Sequence, residues 1–294
     1  NLVLSLFLTK HFIVPVKQVM AHANRLKSGD YQPRFTGSRR QDELGMLMKN
    51  MDTLSQTLTQ QQESQRRWLA DVAHELRTPL AVLKGEIEAI VDGIRPNTIE
   101  QIESLQQEVQ HLQRLVEDLR QLSLSDMGAL SYFYEQFDLG ELLTDVIERM
   151  YKQFQTSDLS FEAHGLDALT LIEADATRLT QVFHNLLTNS CRYTDSPGQI
   201  RMSLFTQSEF IFVHIEDSSP GVDETQLEQL FEPLFRVDQA RQKVKGGSGL
   251  GMSICRAIVK AHQGEISAST SELGGIKVTV KIPKEQHGTK NSNH

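Results

Sequence analysis

The sequence is poor in cysteine and in positive charge, and it lacks any apolar run long enough to cross a membrane. Its two cysteines, Cys191 and Cys255, are far apart and have no metal-type spacing. That excludes a disulfide framework and a cysteine-rich zinc module, and fits buried or free thiols in a reducing compartment. Thirty Lys and Arg against thirty-eight Asp and Glu leave a net charge of -8, with an isoelectric point near 5.7. A nucleic-acid binder needs a basic face, so no nucleic-acid partner is expected. The longest opening run, Leu2-Val3-Leu4-Ser5-Leu6-Phe7-Leu8, is too short to span a bilayer and lacks the layout of a signal peptide. The run is either the end of a transmembrane helix or a simple hydrophobic N-terminus; Lys10, His11 and Lys17 follow it as cytoplasmic flanks do, which favours residues 1–9 as the end of a transmembrane helix. No internal repeat is evident.

What the chain has in its first half is helical periodicity. Val16, Val19, Ala23 and Leu26 mark a short amphipathic helix that stops at Ser28-Gly29-Asp30. An irregular connector with Pro33 and Gly37 leads to Asp42-Glu43-Leu44-Gly45, which opens a second helix. Its seam, Leu44, Leu47, Met51, Leu54 and Leu58, alternates steps of three and four. The glutamine-rich stretch 60–65 carries that register into Trp68 and Val72. The stripe continues as Leu69, Val72, Leu76, Leu80, Leu83, Ile87 and Ile90. His74 lies two residues from both Val72 and Leu76, and at about 100° per residue it points away from the seam, towards solvent. Thr78 stands one turn on, on the same face. Pro79 removes a backbone hydrogen bond and is expected to disturb the helix just after the histidine. A break at 93–96 precedes Asn97 or Thr98 as N-cap and a third helix with the seam Ile102, Leu105, Val109, Leu112, Val116, Leu119 and Leu122. The outcome is an antiparallel hairpin over 65–125. Each arm has one apolar stripe, so two hairpins complete a four-helix bundle and a dimer is the expected unit.

Beyond Asp126-Met127-Gly128 the heptads end and the pattern becomes mixed α and β. Leu142, Val146 and Met150 mark a helix, and 176–193 reads as a longer one. Strands are expected over 159–163, 169–173, 200–205, 210–217, 265–269 and 275–282, with a helix over 252–262 and a polar tail at 286–294. Gly246-Gly247-Ser248-Gly249-Leu250-Gly251 opens that last helix. Glycines let a backbone approach an anion, and the amides of a helix start point at it, so the segment is either a phosphate cradle or simply a flexible loop. It is not a P-loop, because no Gly-Lys-Ser/Thr ends it, and Met252 stands where a dinucleotide fingerprint needs its third glycine. The His-Arg-Asp and Asp-Phe-Gly signatures of Ser/Thr protein kinases are missing as well. On the long helix Asn185 and Asn189 share a face, with Arg192 and Tyr193 one turn further. A carboxamide oxygen near phosphates is able to hold Mg²⁺. Asp217, at a strand end before Ser218-Ser219-Pro220-Gly221, either accepts a hydrogen bond from a buried amino group or simply shapes a turn.

The order of these features resembles a class I sensor histidine kinase of a bacterial two-component system. Its boxes are similar to His74-Glu75-Leu76-Arg77-Thr78-Pro79-Leu80, Asn185-Leu186-Leu187-Thr188-Asn189, Asp217-Ser218-Ser219-Pro220-Gly221, Phe231-Glu232-Pro233-Leu234-Phe235 and Gly247-Ser248-Gly249-Leu250-Gly251. The paired helices before residue 60 resemble a HAMP signal-relay module. Among such kinases the stretches 77–86 and 122–130 look most like the BaeS-type envelope-stress sensors. One departure stands out: the family usually has glycine where this chain has Ser219.

The resemblance implies an α plus α/β multidomain chain. A HAMP module occupies 10–62, and a helical hairpin over 63–127 forms a dimeric four-helix bundle for dimerisation and phosphotransfer. A Bergerat-type α/β-sandwich ATP-binding domain fills 128–285. It further implies ATP-dependent autophosphorylation of His74 and transfer to an aspartate of a BaeR-like response regulator. Glu75 orients the ring and takes its proton, and Thr78 positions water in a reverse phosphatase reaction. Asp217 meets the adenine amino group, and Asn189 ligates Mg²⁺. Asn185, Arg192, Tyr193, Gly221 and Phe235 line the nucleotide. Gly247, Ser248, Gly249, Leu250 and Gly251 cradle phosphates under a lid at 236–246. The expected setting is a homodimer at the bacterial inner membrane with this part in the cytoplasm. Two other classes compete with that reading: a Bergerat ATPase of the gyrase or chaperone kind, and a HAMP-linked scaffold without catalysis.

Overall fold

The computed structural model describes residues 7–35, 40–126, 130–237 and 248–285. The chain divides into two compact units, Asn1–His74 and Glu75–His294. In the first, a π-helical turn, Thr9–Ile13, leads into α1, Val14–Lys27. Gly29, at φ +86°, turns the chain out of α1 as the Ser-Gly-Asp breaker requires. Helix α2, Glu43–Val91, starts where the sequence places it: Asp42 accepts a hydrogen bond from the Gly45 amide at 3.0 Å. Arg40 beside it holds the Asp42 carboxyl well below the usual range. A side chain at Gly45 would lie 2.4 Å from the Arg40 carbonyl oxygen, so the residue is bound to be small.

The irregular connector is fastened by polar groups. Asp52, on α2, accepts from the Arg34 and Phe35 amides at 2.8 and 3.0 Å. His22 is buried, with Nε2 2.8 Å from Ser55 Oγ. Because Ser55 gives its own proton to the Met51 carbonyl, His22 is the donor in that pair.

In the second unit α2 runs on to Val91 and α3 covers Ile99–Asp126. Gly93, at φ +69°, makes the turn, and the Thr98 hydroxyl accepts from the Gln101 amide. Pro79 does not interrupt α2. A single missing amide proton costs one rung, and the rungs on either side keep the helix going.

The rest is a two-layer α/β sandwich. A five-stranded sheet has the order β2-β4-β5-β7-β6, formed by β2 Leu159–His164, β4 Gly198–Gln207, β5 Phe210–Asp217, β6 Glu265–Thr270 and β7 Ile276–Pro283. Only β2 and β4 run parallel. A second ribbon pairs β1, Glu135–Asp138, with β3, Leu171–Ala174. Alternation decides the faces. Ile200, Met202 and Leu204 of β4, Ile211, Val213 and Ile215 of β5, and Val278, Val280 and Ile282 of β7 are all buried at every second position. They meet α4, Leu139–Thr156, α5, Ala176–Tyr193, and α6, Gly251–Ala261. Helix α5 contributes Leu179, Val182, Phe183, Leu186 and Leu187, and α6 contributes Ile254, Ile258 and Val259. Burying each such side chain stabilises the fold by about 1.5–3 kcal/mol. From α3, Leu115 and Leu122 join the same core.

Candidate functional site

Period two continues past the core of β5. After Ile211, Val213 and Ile215 the next inward position is Asp217, a carboxylate at the end of a core-facing row. It is 6 % exposed. Burial alone would neutralise it, and burial does push its carboxyl above the usual range. Hydrogen-bond donors oppose that, the Ser219 amide among them. Oδ1 accepts from the Ile276 amide at 2.8 Å and from Ser219 Oγ at 3.0 Å; Oδ2 accepts from Ser190 Oγ at 3.1 Å. Gly275 closes over it: a Cβ there would stand 2.3 Å from Asp217 Oδ1 and 2.7 Å from the Ser219 nitrogen. Strand β5, helix α5 and the turn before β7 thus converge on one carboxylate. The arrangement suits a ligand that presents an N–H donor.

The start of α6 forms the other half. Leu250 is its N-cap and supplies no side-chain cap, so the first amides of the helix stay available to an anion. Gly249 sits at φ +68°, and a Cβ there would come within 3.0 Å of Leu234 Cα. The Gly249 carbonyl accepts from the Leu234 amide at 3.0 Å, which ties the loop to the Phe231–Phe235 segment. Ser248 Oγ accepts from the Leu250 amide at 3.3 Å and gives its proton to Asp118 of α3 at 3.2 Å. A Cβ on Gly251 would lie 3.8 Å from the Asn185 amide nitrogen, so the helix start abuts the asparagine face of α5.

Of the residues the sequence singles out, the structure brings Asn185 to Gly251 and ties Gly249 to the segment that ends in half-buried Phe235. Asp217 stands at the far end of α5, against Ser190 rather than against Asn185. Asn189, Arg192 and Tyr193 are half-buried along α5, and Gly221 is exposed. Gly247 lies outside the described residues, as do 1–6, 238–246 of the expected lid, and the tail at 286–294. His74 and Thr78 are exposed on α2, and Glu75 is half-buried. Both thiols are free and buried; burial pushes Cys191 up to about 11 and Cys255 up to about 12, so neither is a nucleophile.

Sequence reasoning missed Ser190, Gly275 and Asp118. Ser190 could have been found, since it lies on the apolar stripe of α5, one turn beyond Leu186. Gly275 and Asp118 carry no local signal; only the fold brings them to their partners.

The residues fit an adenosine phosphate at both ends: a buried acceptor for an amino group, and an uncapped glycine-rich helix start for phosphates. The comparisons agree. The histidine kinase-, DNA gyrase B- and HSP90-like ATPase family matches residues 174–286, the phospho-acceptor His Kinase A domain matches 64–128, and the HAMP domain matches 7–60. The signal transduction histidine-protein kinase BaeS of Escherichia coli is 43 % identical over 279 residues, 95 % of this chain and 59 % of that protein. The sensor histidine kinase WalK of Bacillus subtilis is 29 % identical over 229 residues, 76 % of this chain and 37 % of its own length. Among solved structures, the Acinetobacter baumannii histidine kinase AdeS superposes with a TM-score of 0.62 at 30 % identity. That match covers 72 % of this chain and 98 % of AdeS. The chain therefore spans well under two thirds of the curated relatives, yet nearly the whole of the AdeS structure. With HAMP, phospho-acceptor and ATPase segments in that order, it belongs to the sensor histidine kinases.

Proposed function

We propose that this chain autophosphorylates His74 with ATP and passes the phosphoryl group to an aspartate of a response regulator, BaeR-like by the kinship with BaeS. The observation that carries the reading is the pairing, on one chain, of an exposed histidine on a hairpin helix with the buried Asp217 acceptor and the uncapped glycine loop. His74 is the nucleophile: its imidazole nitrogen bonds to the γ-phosphorus as the bond to the ADP oxygen breaks. Glu75, the next residue, takes the imidazole proton. Asp217 accepts from the adenine amino group. Asn185, Arg192, Tyr193, Gly221 and Phe235 line the nucleotide, and 247–251 hold its phosphates beneath a lid at 236–246. The protein's contribution is positioning and charge stabilisation, as phosphoryl transfer needs.

Among the described residues no cluster of His, Cys, Asp or Glu is able to hold a metal by itself. Asn189 would hold Mg²⁺ together with the phosphates of the nucleotide, and the ion would offset their negative charge. In the reverse direction Thr78 positions water for dephosphorylating the regulator.

The working unit is a homodimer built from 63–127, with the HAMP module at 10–62 and the ATP-binding domain at 128–285. No described helix is long and apolar enough to cross a membrane. Kinship with BaeS supports an inner-membrane sensor of envelope stress, with residues 1–9 as the end of an anchor and the rest cytoplasmic.

Incubation with γ-labelled Mg-ATP tests the reading. Acid-labile, base-stable label is expected on the wild-type chain, and at least about a hundredfold less on His74→Gln, because the nucleophile is gone. Hydrolysis without labelled protein would favour an ATPase of the gyrase kind, and absence of nucleotide binding a scaffold.

A further inference from the structure

Asp217 has more partners than a base-reading carboxylate needs. Its two oxygens offer about four lone pairs in all. The Ile276 amide and Ser219 Oγ occupy both on Oδ1, at 2.8 and 3.0 Å. Ser190 Oγ takes one on Oδ2, at 3.1 Å. The Ser219 amide also draws on the carboxylate, so Oδ1 is crowded with donors and Oδ2 is the more open oxygen.

Ser219 is the uncommon member of this set. It is 3 % exposed, so its hydroxyl has no water to turn to. Its proton is committed to Asp217, as is that of Ser190. The neighbouring backbone leaves little room for the carboxylate to swing, since Gly275 is packed against Oδ1 and its amide donates to the Asp217 carbonyl at 3.1 Å. Every polar side-chain atom in this corner therefore meets a ligand as an acceptor. An exocyclic amino group satisfies that corner. A keto oxygen faces lone pairs only, and leaves a buried acceptor unpaired at a cost of about 1–3 kcal/mol.

We infer that Ser219 is a positioning residue for nucleobase selection: its hydroxyl holds Oδ1 and so turns the more open oxygen of Asp217, Oδ2, to the amino group of the base. The inference rests on the nucleotide reading above and adds a residue that the usual glycine at this position does not provide. Glycine or alanine removes the hydroxyl donor and leaves the carboxylate less firmly held, so the amino group of the base has to fix it on binding.

The test uses two nucleotides that differ at this corner of the base, ATP and inosine triphosphate, which carries a keto oxygen where adenine has its amino group. Affinity of the full chain for each Mg-nucleotide is measured by calorimetry. For Ser219→Ala we expect ATP to bind about three- to tenfold more weakly, because the donor that orients Asp217 is lost, while inosine triphosphate changes by less than about twofold. The preference for ATP falls accordingly. A purely structural role would weaken both nucleotides alike.

Ser219→Gly deletes the same hydroxyl without adding a methyl group, and serves if the alanine variant fails to fold by circular dichroism. If the wild type prefers ATP but the variants shift both nucleotides in parallel, or neither, the inference is overturned and the nucleotide reading stands. If the wild type binds neither, both fall together.

Discussion

His262 shows how one buried side chain ties several segments of the ATPase domain together. It is fully buried. Nε2 accepts from the Asp175 amide at 3.0 Å, Nδ1 gives its proton to the Ile258 carbonyl at 2.8 Å, and the rings of Tyr132 and Tyr134 pack against it. Asp175 in turn caps α5 through the Arg178 amide and accepts from the Phe133 amide. This neutral tautomer is the only one that satisfies both neighbours. Protonation would turn the acceptor at Nε2 into a donor facing a donor, and burial accordingly holds the imidazolium form down, below the ordinary histidine value. The sign follows from linkage. A histidine depressed in the folded state stabilises the fold above its unfolded value of about 6.5, and that contribution is lost as pH falls from there. Urea unfolding at pH 8 and pH 5.5 should show wild-type stability dropping across this interval. His262→Ala should be about 3 kcal/mol less stable at pH 8, from the orphaned Asp175 amide and the void. It should also lack the histidine share of the acid step; an unchanged step in the variant would assign it to other groups.

At the scale of elements, α3 does more than build the hairpin. Asp118 is half-buried where α3 meets α6, and its carboxylate holds the Ser248 hydroxyl. Burial raises its carboxyl, so an ionised Asp118 is already unfavourable there. On the proposed reading, that negative charge borders the loop which must receive phosphates. Asp118→Asn keeps an acceptor for Ser248 and removes the charge. ATP should bind the variant about three- to tenfold more tightly, and the difference should shrink in high salt. Equal affinities at low salt would free Asp118 from any part in nucleotide binding.

The same contact marks the boundary of what was legible in the sequence. Helices α5 and α6 and strands β4, β5 and β7 could be read because each carries one apolar period and each ends at a turn or capping residue. Strand β1, Glu135–Asp138, could not: it pairs with β3 on the margin of the domain, and two of its four residues are exposed. Helix α2 runs on through Pro79 where the local rule expects a disturbance, since a proline takes only one rung from a helix of 49 residues. In the site, the glycine loop, Asn185 and Asp217 could be picked out from residue type and position. Ser219 donates to a carboxylate only two residues away, but the packing of Gly275 and the reach of Asp118 join segments 58 and 130 residues apart in sequence and are set by the tertiary fold. No local pattern encodes such distances.

At the scale of the whole molecule, the hairpin leaves an apolar account open. On α3, Ile102, Val109 and Val116 are 53, 44 and 54 % exposed; on α2, Leu80 and Ile87 are 55 and 50 % exposed. Within each helix these residues recur at every seventh position, the spacing of a coiled-coil seam. The intervening Leu105, Leu112 and Leu119 are half-buried and Leu115 fully so, so the two stripes of α3 have different neighbours. Leu115, Leu119 and Leu122 pack into the core of the α/β sandwich, while the stripe of Ile102, Val109 and Val116 stays open. A row of β-branched side chains kept in water costs about 0.8 kcal/mol per methylene left unburied, whereas a second hairpin laid against the first removes that cost for both copies at once. Charged substitutions on the open stripe alone should therefore separate the copies without unfolding either. Val109→Lys combined with Val116→Lys is expected to halve the mass seen by sedimentation equilibrium at micromolar concentration, with helical content unchanged. A wild-type chain that sediments as a monomer, or a lysine variant that remains a dimer, would mean that the heptad stripe of α3 is not where two copies meet.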